Sequence, residues 1–332
     1  MDKPTIAITM GDAAGIGPEL IVKILSEPTI YKQCNPLLIG DPEVMREICQ
    51  IVGVELRFQR IDEPTDARFS PPVVDVLHPD GLQIDHVAWG QLDPGMGHAA
   101  AQCLKTSFEL AGKGQIHGVV SAPLNKEAFH QAGYDYLDEV AYLADLTGSS
   151  ETFIMGVMGA IWTVAVTEHI AFRDILALIK KNRILSYIVR LHDALTEVGR
   201  ERPRIAVAAL NVHAGEGGLF GREEIDEIAP AIEAAQNKDI SAHGPVPADM
   251  VFVLALEGHF DGVVCMYHDQ ANIARKLQPK GEGATIFMGL PVACGTTAHG
   301  TAFDIAGQGI ADPGSLRAAL RYIIQLSSQA HV

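Results

Sequence analysis

Strand-like and helix-like segments alternate along the chain, and this alternation limits the folds that it can adopt. Short apolar runs predict strands at Thr5–Met10, Gly118–Ser121 and Gly262–Met266. Amphipathic patterns between and after them predict helices, among them Arg183–Val198 and the C-terminal Ser315–Leu326. This order predicts an α/β fold, in which a mostly parallel sheet is covered by helices on both faces. The Pro- and Asp-rich stretch 60–95 breaks the pattern and is expected to be an insertion or a β-rich flap.

Length and charge narrow the classes of protein further. A chain of 332 residues is long enough for two domains. Its 25 Lys and Arg against 41 Asp and Glu give a net charge of −16, which argues against nucleic acid or a membrane surface as partner. The longest apolar stretches, such as 251–256 and 284–294, are much shorter than the ~20 residues of a membrane span. Five scattered cysteines without a C-x-x-C pair predict reduced thiols and a cytoplasmic location.

A glycine-rich segment, Gly11–Glu19 (GDAAGIGPE), follows the first predicted strand and opens a helix. Its backbone amides could approach an anion at the helix N-terminus, or its glycines could simply allow a tight turn. The segment does not match G-x-G-x-x-G, and the tight turn is the favoured interpretation.

Three histidines follow predicted strands: His169 in VTEHIAFRD, His213 in NVHAGEGG and His268 in MYHDQ. Because they are 44 and 55 residues apart (213 − 169 and 268 − 213), they do not form a local zinc motif. The carboxyl ends of parallel strands share one edge of a sheet, so the fold could still bring these imidazoles to one divalent cation. Three separate, hydrogen-bonded histidines are an equally good interpretation at this point.

Charged residues stand close to these strand ends. Asp249 lies in GPVPADM, and Asp269 directly follows His268. Such carboxylates can orient histidines or accept hydrogen bonds from substrate hydroxyls. Lys126, in SAPLNKEA, is a candidate electrophile or proton-transfer group.

The most specific string of the chain is HGTAFDIAGQGIADP, which begins at His299. It resembles the cofactor loop of the β-decarboxylating dehydrogenases, the isopropylmalate and isocitrate enzymes. The resemblance implies that this loop holds the adenosine half of NAD or NADP. The positions implied in cofactor binding are His299, Gly300, Thr301, Ala302, Asp304 and Gly307.

The chain as a whole resembles the 4-hydroxythreonine-4-phosphate dehydrogenase family. The resemblance runs from ITMGDAAGIGPE through SAPLNKEA, NVHAGEGG, GPVPADM and MYHDQ to HGTAFDIAG, which is nearly the full length. It implies two α/β/α domains of the isocitrate and isopropylmalate dehydrogenase type, expected at 1–135 with 286–332 and at 136–285. It also implies a homodimer with the active site at the interface.

The same resemblance implies the cofactors and their ligands. These are NAD or NADP and one divalent metal, which would be Zn, Mg, Mn or Co. The implied metal ligands are His169, His213 and His268, the last expected from the partner subunit.

Several substrate positions of the family carry other residues here. Glu139 and Val140 replace a His-Thr pair, Thr285 replaces an Asn, and Cys294 replaces an Arg, whereas the substrate lysine is matched by Lys276. Loss of an Arg removes a bidentate partner for phosphate, and Glu139 adds a negative charge. Like charges about 4 Å apart repel by about 4 kcal/mol at an effective dielectric constant of ~20. An unphosphorylated hydroxy acid is therefore the predicted substrate.

The expected activity is metal-dependent and NAD(P)-dependent oxidation of a secondary alcohol near a carboxylate, with loss of CO2 if the product is a β-keto acid. Lys276, Lys126 or water would take the proton, while Asp249 and Asp269 would orient histidines or hydroxyls. The chain also resembles the branch that acts on terephthalate cis-dihydrodiol, through its ADMV and DIAG strings. The same residues would also suit a metal-dependent lyase or hydrolase, or a ligand-binding paralogue without activity.

Overall fold

The computed structural model of the chain describes residues 3–277, 281 and 283–329. The chain divides into two compact units, one comprising residues 1–154 with 283–332 and the other residues 155–282. The second domain was expected to begin at residue 136, whereas residues 136–154 group with the first unit. The reason is the helix Glu139–Thr147, whose Val140, Tyr142 and Leu143 are buried in the core of the first unit.

Among the described residues, the first unit contains seven strands and seven α-helices. Strands and helices are numbered in chain order across both units, so the numbers within one unit are not all consecutive. The strands are Thr5–Thr9 (β1), Asn35–Ile39 (β2), Arg57–Ile61 (β3), Val73–Leu77 (β4), Gly118–Ser121 (β5), Gly283–Met288 (β11) and Ala293–Thr297 (β12). The helices are Gly17–Leu25 (α1), Ile30–Gln33 (α2), Pro42–Val52 (α3), Pro94–Gly112 (α4), Lys126–Gln131 (α5), Glu139–Thr147 (α6) and Gly314–Gln329 (α12). The strands lie in the order β3-β4-β2-β1-β5-β12-β11 and pair in parallel, except for the antiparallel pair β11 and β12.

Helices cover both faces of this sheet. On one face, Val119 of β5 packs in a core cluster with Leu104 and Phe108 of α4. On the other face Gly118 lies directly under α12, and a Cβ at this position would meet Ile323 at 2.5 Å. Successive side chains along β5 therefore pack into two separate cores, one on each face of the sheet, as in a three-layered α/β/α unit.

The stretch 60–95 was expected to be an insertion or a β-rich flap, and this expectation was wrong for the first half of the stretch. β4 lies between β3 and β2 in parallel pairing, with Val76 opposite Leu38, so this part of the chain is a regular portion of the sheet. Proline-rich connections on either side hide the strand signal, which rests on the short run Val73–Leu77. Residues 78–93 are irregular and lead into the N-cap of α4, Asp93.

The strands of the second unit pair mostly in parallel. Its strands are Phe153–Met158 (β6), Ile161–Ala165 (β7), Ile205–Ala208 (β8), Ala242–Val246 (β9) and Gly262–Cys265 (β10), and the first two residues of β6 precede the boundary at residue 155. Their order is β6-β7-β10-β8-β9, and the pair β6 and β7 is antiparallel. The helices are Ile175–Leu178 (α7), Lys181–Glu197 (α8), Ala229–Gln236 (α9), Ala248–Leu256 (α10) and His268–Lys276 (α11), and a π-helical turn, Glu224–Ile228, precedes α9.

The predicted α/β class with mostly parallel sheets is confirmed. In the second unit, Val251 and Phe252 of α10 pack in one core cluster with Val263, while Gly262 faces Leu191 of α8 on the opposite side.

All five cysteines are unpaired and buried. None of the helices in the described part of the chain is both long enough and apolar enough to cross a bilayer.

The start of α3 shows how local sequence sets an element. Asp41 lies just outside the helix in an extended conformation, and its Oδ1 accepts hydrogen bonds from the amides of Glu43 at 2.7 Å and Val44 at 3.2 Å. Pro42 occupies the first helical position, where a missing N–H costs nothing. Gly53 ends the helix in the left-handed region, with φ of 76°.

We expect Asp41→Ala to lower the free energy of unfolding by about 1 kcal/mol, because two amides lose their acceptor. Asp41→Asn keeps an acceptor oxygen and should retain most of the stability. Urea unfolding of the three proteins checks this. An equal loss in both variants would assign the effect to the contact of Asp41 with His78, 3.2 Å away, instead of to the cap.

Candidate functional site

Two of the three predicted metal ligands lie side by side in the second unit. β7 and β10 pair in parallel, with Ala165 opposite Cys265, so their carboxyl ends meet. His169 follows the first strand and His268 follows the second, and their ring centroids are 5.8 Å apart. Glu168 joins them: one ligand atom from each of these three residues lies within 4.8 Å of the other two.

The donor set of this group, hereafter the Glu168 group (Glu168, His169 and His268), fits a divalent cation. Two imidazoles and one carboxylate are a common ligand set for zinc and for other divalent transition metals. The Nδ1 atom of His268 lies 2.7 Å from Oδ1 of Asp269, which orients the ring and leaves Nε2 as its ligand atom. Asp269 therefore lies where an orienting carboxylate was expected from the sequence, whereas Asp249 is exposed in the first turn of α10, outside this group.

His213 does not belong to the Glu168 group in this chain. It lies in a turn in which five consecutive residues, 213–217, have left-handed backbone conformations. Glu224 holds the start of this turn, since its Oε1 accepts hydrogen bonds from the amides of Leu210 and Asn211. Non-glycine residues with positive φ, here His213, Ala214 and Glu216, are strained and cluster at functional sites.

His268 was expected from a partner subunit, and the structure places it beside His169 of the same chain.

Glu168 was not among the residues predicted from sequence. Its signal was present, because a carboxylate next to a strand-end histidine is an obvious additional ligand. Arg275 is another polar residue that was missed. Burial lowers the pKa of Arg275, and the nearby Glu168 partly offsets this lowering. The guanidinium lies against Gly156, where the Cβ of any larger residue would come within 2.7 Å of it.

The cofactor-like loop of the first unit is anchored by a buried carboxylate. Glu19, fully buried in α1, accepts hydrogen bonds from the amides of Gly309 at 3.2 Å and Ala311 at 2.6 Å. Lys23 neutralises it at 2.7 Å and donates to the carbonyls of the same two loop residues. Gly307 packs against Trp89 with φ of 73°. Residues 309–311, which directly follow the predicted cofactor positions, are therefore firmly held.

Within that loop the exposure of the predicted residues differs. His299, Gly300 and Asp304 are exposed, Ala302 is half-buried and Thr301 is buried. A Cβ at Gly300 would meet no atom within 4 Å, so a ligand can approach the backbone there.

The glycine-rich segment forms a tight turn that packs against this loop. The amides of Asp12, Ala14 and Ile16 donate hydrogen bonds to Pro123, to the side chain of Asp12 and to Thr301, respectively. A Cβ at Gly15 would lie 2.8 Å from the Cβ of Thr301. Because these amides already have partners inside the protein, the favoured interpretation of a tight turn agrees with the structure.

Among the predicted substrate residues of the first unit, Glu139 is a buried carboxyl. This residue opens α6 and is only 9% exposed, and its Oε1 accepts a hydrogen bond from Ser121 Oγ at the end of β5. Burial raises its pKa to about 7, against the lowering effects of Ser121 and Lys126. Cys294 lies in the adjacent core, where burial and then Glu139 raise the thiol pKa well above its usual value.

The remaining predicted residues differ in exposure. Val140 is part of the core cluster that includes Cys294. Thr285 is half-buried on β11, opposite Thr296. Lys126, at the start of α5, and Lys276, in the last turn of α11, are both exposed.

A cavity of about 410 Å³ in the first unit lies away from all these residues. Gly112 and Thr147 line it at the carboxyl ends of α4 and α6, with Val292 just before the amino end of β12. Since ligands of parallel α/β sheets bind at the carboxyl ends of the strands, this cavity is not the candidate site.

Comparison with known proteins identifies the family. A family model described as pyridoxal phosphate biosynthetic protein PdxA matches residues 32–323. A "Putative D-threonate 4-phosphate dehydrogenase" of Symbiobacterium thermophilum is 40% identical over 319 residues, which cover 96% of this chain and 95% of that protein. The crystal structure of a 4-hydroxythreonine-4-phosphate dehydrogenase from Burkholderia phymatum is 42% identical, with a TM-score of 0.81 over 98% of this chain and 99% of the other.

More distant structures share the architecture. A terephthalate 1,2-cis-dihydrodiol dehydrogenase from Burkholderia xenovorans is 27% identical, with a TM-score of 0.66 over 97% of this chain and 98% of the other. Isocitrate dehydrogenase from Methylococcus capsulatus is 14% identical, with a TM-score of 0.51 over 100% of this chain and 88% of the other, and shows the fold alone.

The fold and the named relatives together define an enzyme of the dehydrogenase class, which confirms that prediction. The chain belongs to the PdxA family, and the resemblance to 4-hydroxythreonine-4-phosphate dehydrogenases is thereby confirmed.

The raised pKa of Glu139 predicts a specific dependence of stability on pH. The folded chain holds a proton on Glu139 up to about pH 7, whereas the unfolded chain releases it near 4.5. Between these values the folded state binds more protons, so this carboxyl contributes a stability that is present at low pH and lost as pH rises to about 7. A difference of this size corresponds to about 3 kcal/mol.

Glu139→Gln should therefore be more stable than the wild type at pH 8, with a smaller difference at pH 5. Urea unfolding at both pH values measures this, with the exposed Glu55→Gln as control. Parallel pH profiles of the wild type and Glu139→Gln would contradict the assignment.

Proposed function

We propose that the protein oxidises the secondary alcohol of a small hydroxy acid, with NAD or NADP as hydride acceptor and one divalent cation in the active site. The observation that carries this proposal is the Glu168 group, whose ligand atoms all lie within 4.8 Å of one another. A divalent cation held there would act as a Lewis acid that lowers the pKa of a bound alcohol. The dehydrogenase names of the relatives support the redox class.

The residues of the second unit take distinct roles in this proposal. His169 and His268 bind the cation through imidazole nitrogens, and Glu168 supplies a carboxylate oxygen. Asp269 orients His268 through their 2.7 Å contact. Lys276, on the same helix as His268, accepts the alcohol proton at Nζ in this proposal, and Lys126 or water is the alternative acceptor.

The first unit supplies the proposed cofactor loop. Two observations support this role: the exposed backbone at Gly300, which an adenosine or ribose can approach, and the anchoring of residues 309–311 by Glu19. A rigid loop loses little conformational entropy when it binds a ligand. Product decarboxylation follows only if oxidation yields a β-keto acid.

We further propose a homodimer in the cytoplasm. Exposed apolar side chains of the second unit, including Phe172, Leu219 and Leu277, which are 73%, 73% and 78% exposed, support an interface there. One of the three imidazoles would then come from a second copy, and His213 is the one that lies outside the Glu168 group of its own chain. Five buried, unpaired thiols are typical of a reducing compartment.

We expect His169→Ala and His268→Ala to lose bound divalent metal and NAD(P) reduction together, with turnover falling by more than about a hundredfold. Metal analysis of the purified proteins and the absorbance of the reduced nicotinamide measure the two effects. His259→Ala removes an exposed imidazole from the same unit and should change neither. Full turnover in a variant without metal would refute the proposal.

Asp269→Asn tests the orienting carboxylate separately. Loss of such a carboxylate typically weakens metal affinity by about 10- to 100-fold. We therefore expect activity at high metal concentration, with the half-saturating concentration raised by about that factor in a metal titration. An unchanged titration curve would show that the contact between Asp269 and His268 has no part in metal binding.

A further inference from the structure

A turn of unusual conformation carries His213 at the surface of the second unit. Its five consecutive residues 213–217 all have positive φ, and three of them, His213, Ala214 and Glu216, are not glycines. Left-handed conformations of such residues are costly and persist only where the surrounding structure holds them. The fold must therefore contain an anchor for this turn.

The anchor is the carboxylate of Glu224, which is only 3% exposed. Its Oε1 accepts hydrogen bonds from the amides of Leu210 at 2.9 Å and Asn211 at 2.7 Å, and its Oε2 accepts one from Nδ2 of Asn211 at 2.9 Å. Burial alone would raise the pKa of Glu224, but the hydrogen bonds, led by those from Asn211, outweigh burial and lower the pKa. The carboxylate is therefore ionised at neutral pH, and hydrogen bonds to an ionised acceptor are stronger than neutral ones.

Two glycines make room for this anchor. A Cβ at Gly215 would lie 2.8 Å from Oε2 of Glu224, and a Cβ at Gly221 would lie 2.5 Å from Nδ2 of Asn211. Glu224 also begins the π-helical turn Glu224–Ile228, and such irregular turns are frequent at functional sites. The left-handed turn and its anchor therefore fit together closely.

The side chain of His213 is much less constrained than the backbone that carries it. The side chain is 66% exposed, and Oε2 of Glu216 lies 3.7 Å from its Nδ1, which is beyond hydrogen-bond distance. The position of the imidazole is therefore set by the conformation of the turn rather than by packing of the ring. A change that loosens the turn would displace the ring and leave the histidine itself intact.

We propose that Glu224 is a positioning residue, which anchors the turn and thereby holds the imidazole of His213 in the place where it binds the divalent cation. This inference rests on the proposed function, in which His213 completes the metal site of a second copy. Glu224 itself provides no ligand atom. When binding requires a conformation that is only fractionally populated, the apparent affinity falls by that fraction. Glu224 keeps this fraction close to one.

The test is a titration of the purified full chain with Co2+, followed by the visible absorption of the bound ion. Glu224→Gln keeps the size of the side chain but removes its charge and exchanges one acceptor oxygen for a donor. We expect the half-saturating Co2+ concentration to rise by about 10- to 100-fold, the usual effect of losing a residue that orients a metal ligand. Glu233→Gln removes the same charge from an exposed position on α9 and should leave the titration curve unchanged.

A double-mutant cycle separates positioning from a general loss of stability. If Glu224 acts through His213, Glu224→Gln should change the Co2+ affinity by less than about threefold in a His213→Ala background. General destabilisation would instead weaken binding in both backgrounds. Ala214→Gly relieves the strain at a φ of 53°, and adding it to Glu224→Gln should improve the Co2+ affinity by at least about threefold.

Far-ultraviolet circular dichroism shows whether each variant is folded. Should Glu224→Gln fail to fold, Glu224→Asp takes its place in the same cycle, because its shorter side chain keeps the charge but draws the carboxylate away from the amides.

Two results would overturn the inference and leave the proposed function intact. One is an unchanged Co2+ affinity in Glu224→Gln, and the other is an equal loss of affinity with and without His213. A wild type that binds no Co2+ at millimolar concentration would instead remove the cation from the proposed function itself, and the inference with it.

Discussion

Parallel pairing of β1 with β5 and of β5 with β12 is the constraint that fixes the polar side chains at the carboxyl edge of the first unit. The pairing fixes Thr9, Ser121 and Thr296 in one register and turns their side chains to one face. A slip of one residue in any of these strands would move its hydroxyl to the opposite face, under α12. The buried apolar residues two positions back prevent such a slip, because they would lose their core contacts. Packing of the core therefore fixes the chemistry at the edge.

Much of this organisation can be predicted from sequence because its signals are local. The Asp41-Pro42 pair predicts the start of α3, and the apolar run Gly118–Ser121 predicts β5 with its correct bounds. The sequence could indicate that His169 and His268 lie close together, because this needs only that β7 and β10 be parallel neighbours. The position of each histidine at the end of a strand is enough to predict that the two lie close together, without any knowledge of the detailed packing.

What could not be predicted depends on contacts distant in sequence. The contact between Ser121 and Glu139 joins β5 to the first turn of α6, and the sequence between them does not indicate it. The left-handed turn at 213–217 leaves His213 outside the Glu168 group, and nothing in NVHAGEGG specifies that direction. The grouping of residues 136–154 with the first unit likewise depends on where Val140 and Leu143 find apolar neighbours.

The cost of burying Glu139 determines how the stability of the fold depends on pH. A carboxyl that is 9% exposed keeps a low pKa only if cations or several donors surround it, and here the raised pKa of about 7 shows that Ser121 and Lys126 do not suffice. The folded chain therefore loses stability as the pH rises toward the pKa of Glu139, because ionising a buried carboxyl with too few donors is costly. The dependence of stability on pH is thus a direct consequence of where the core places this side chain.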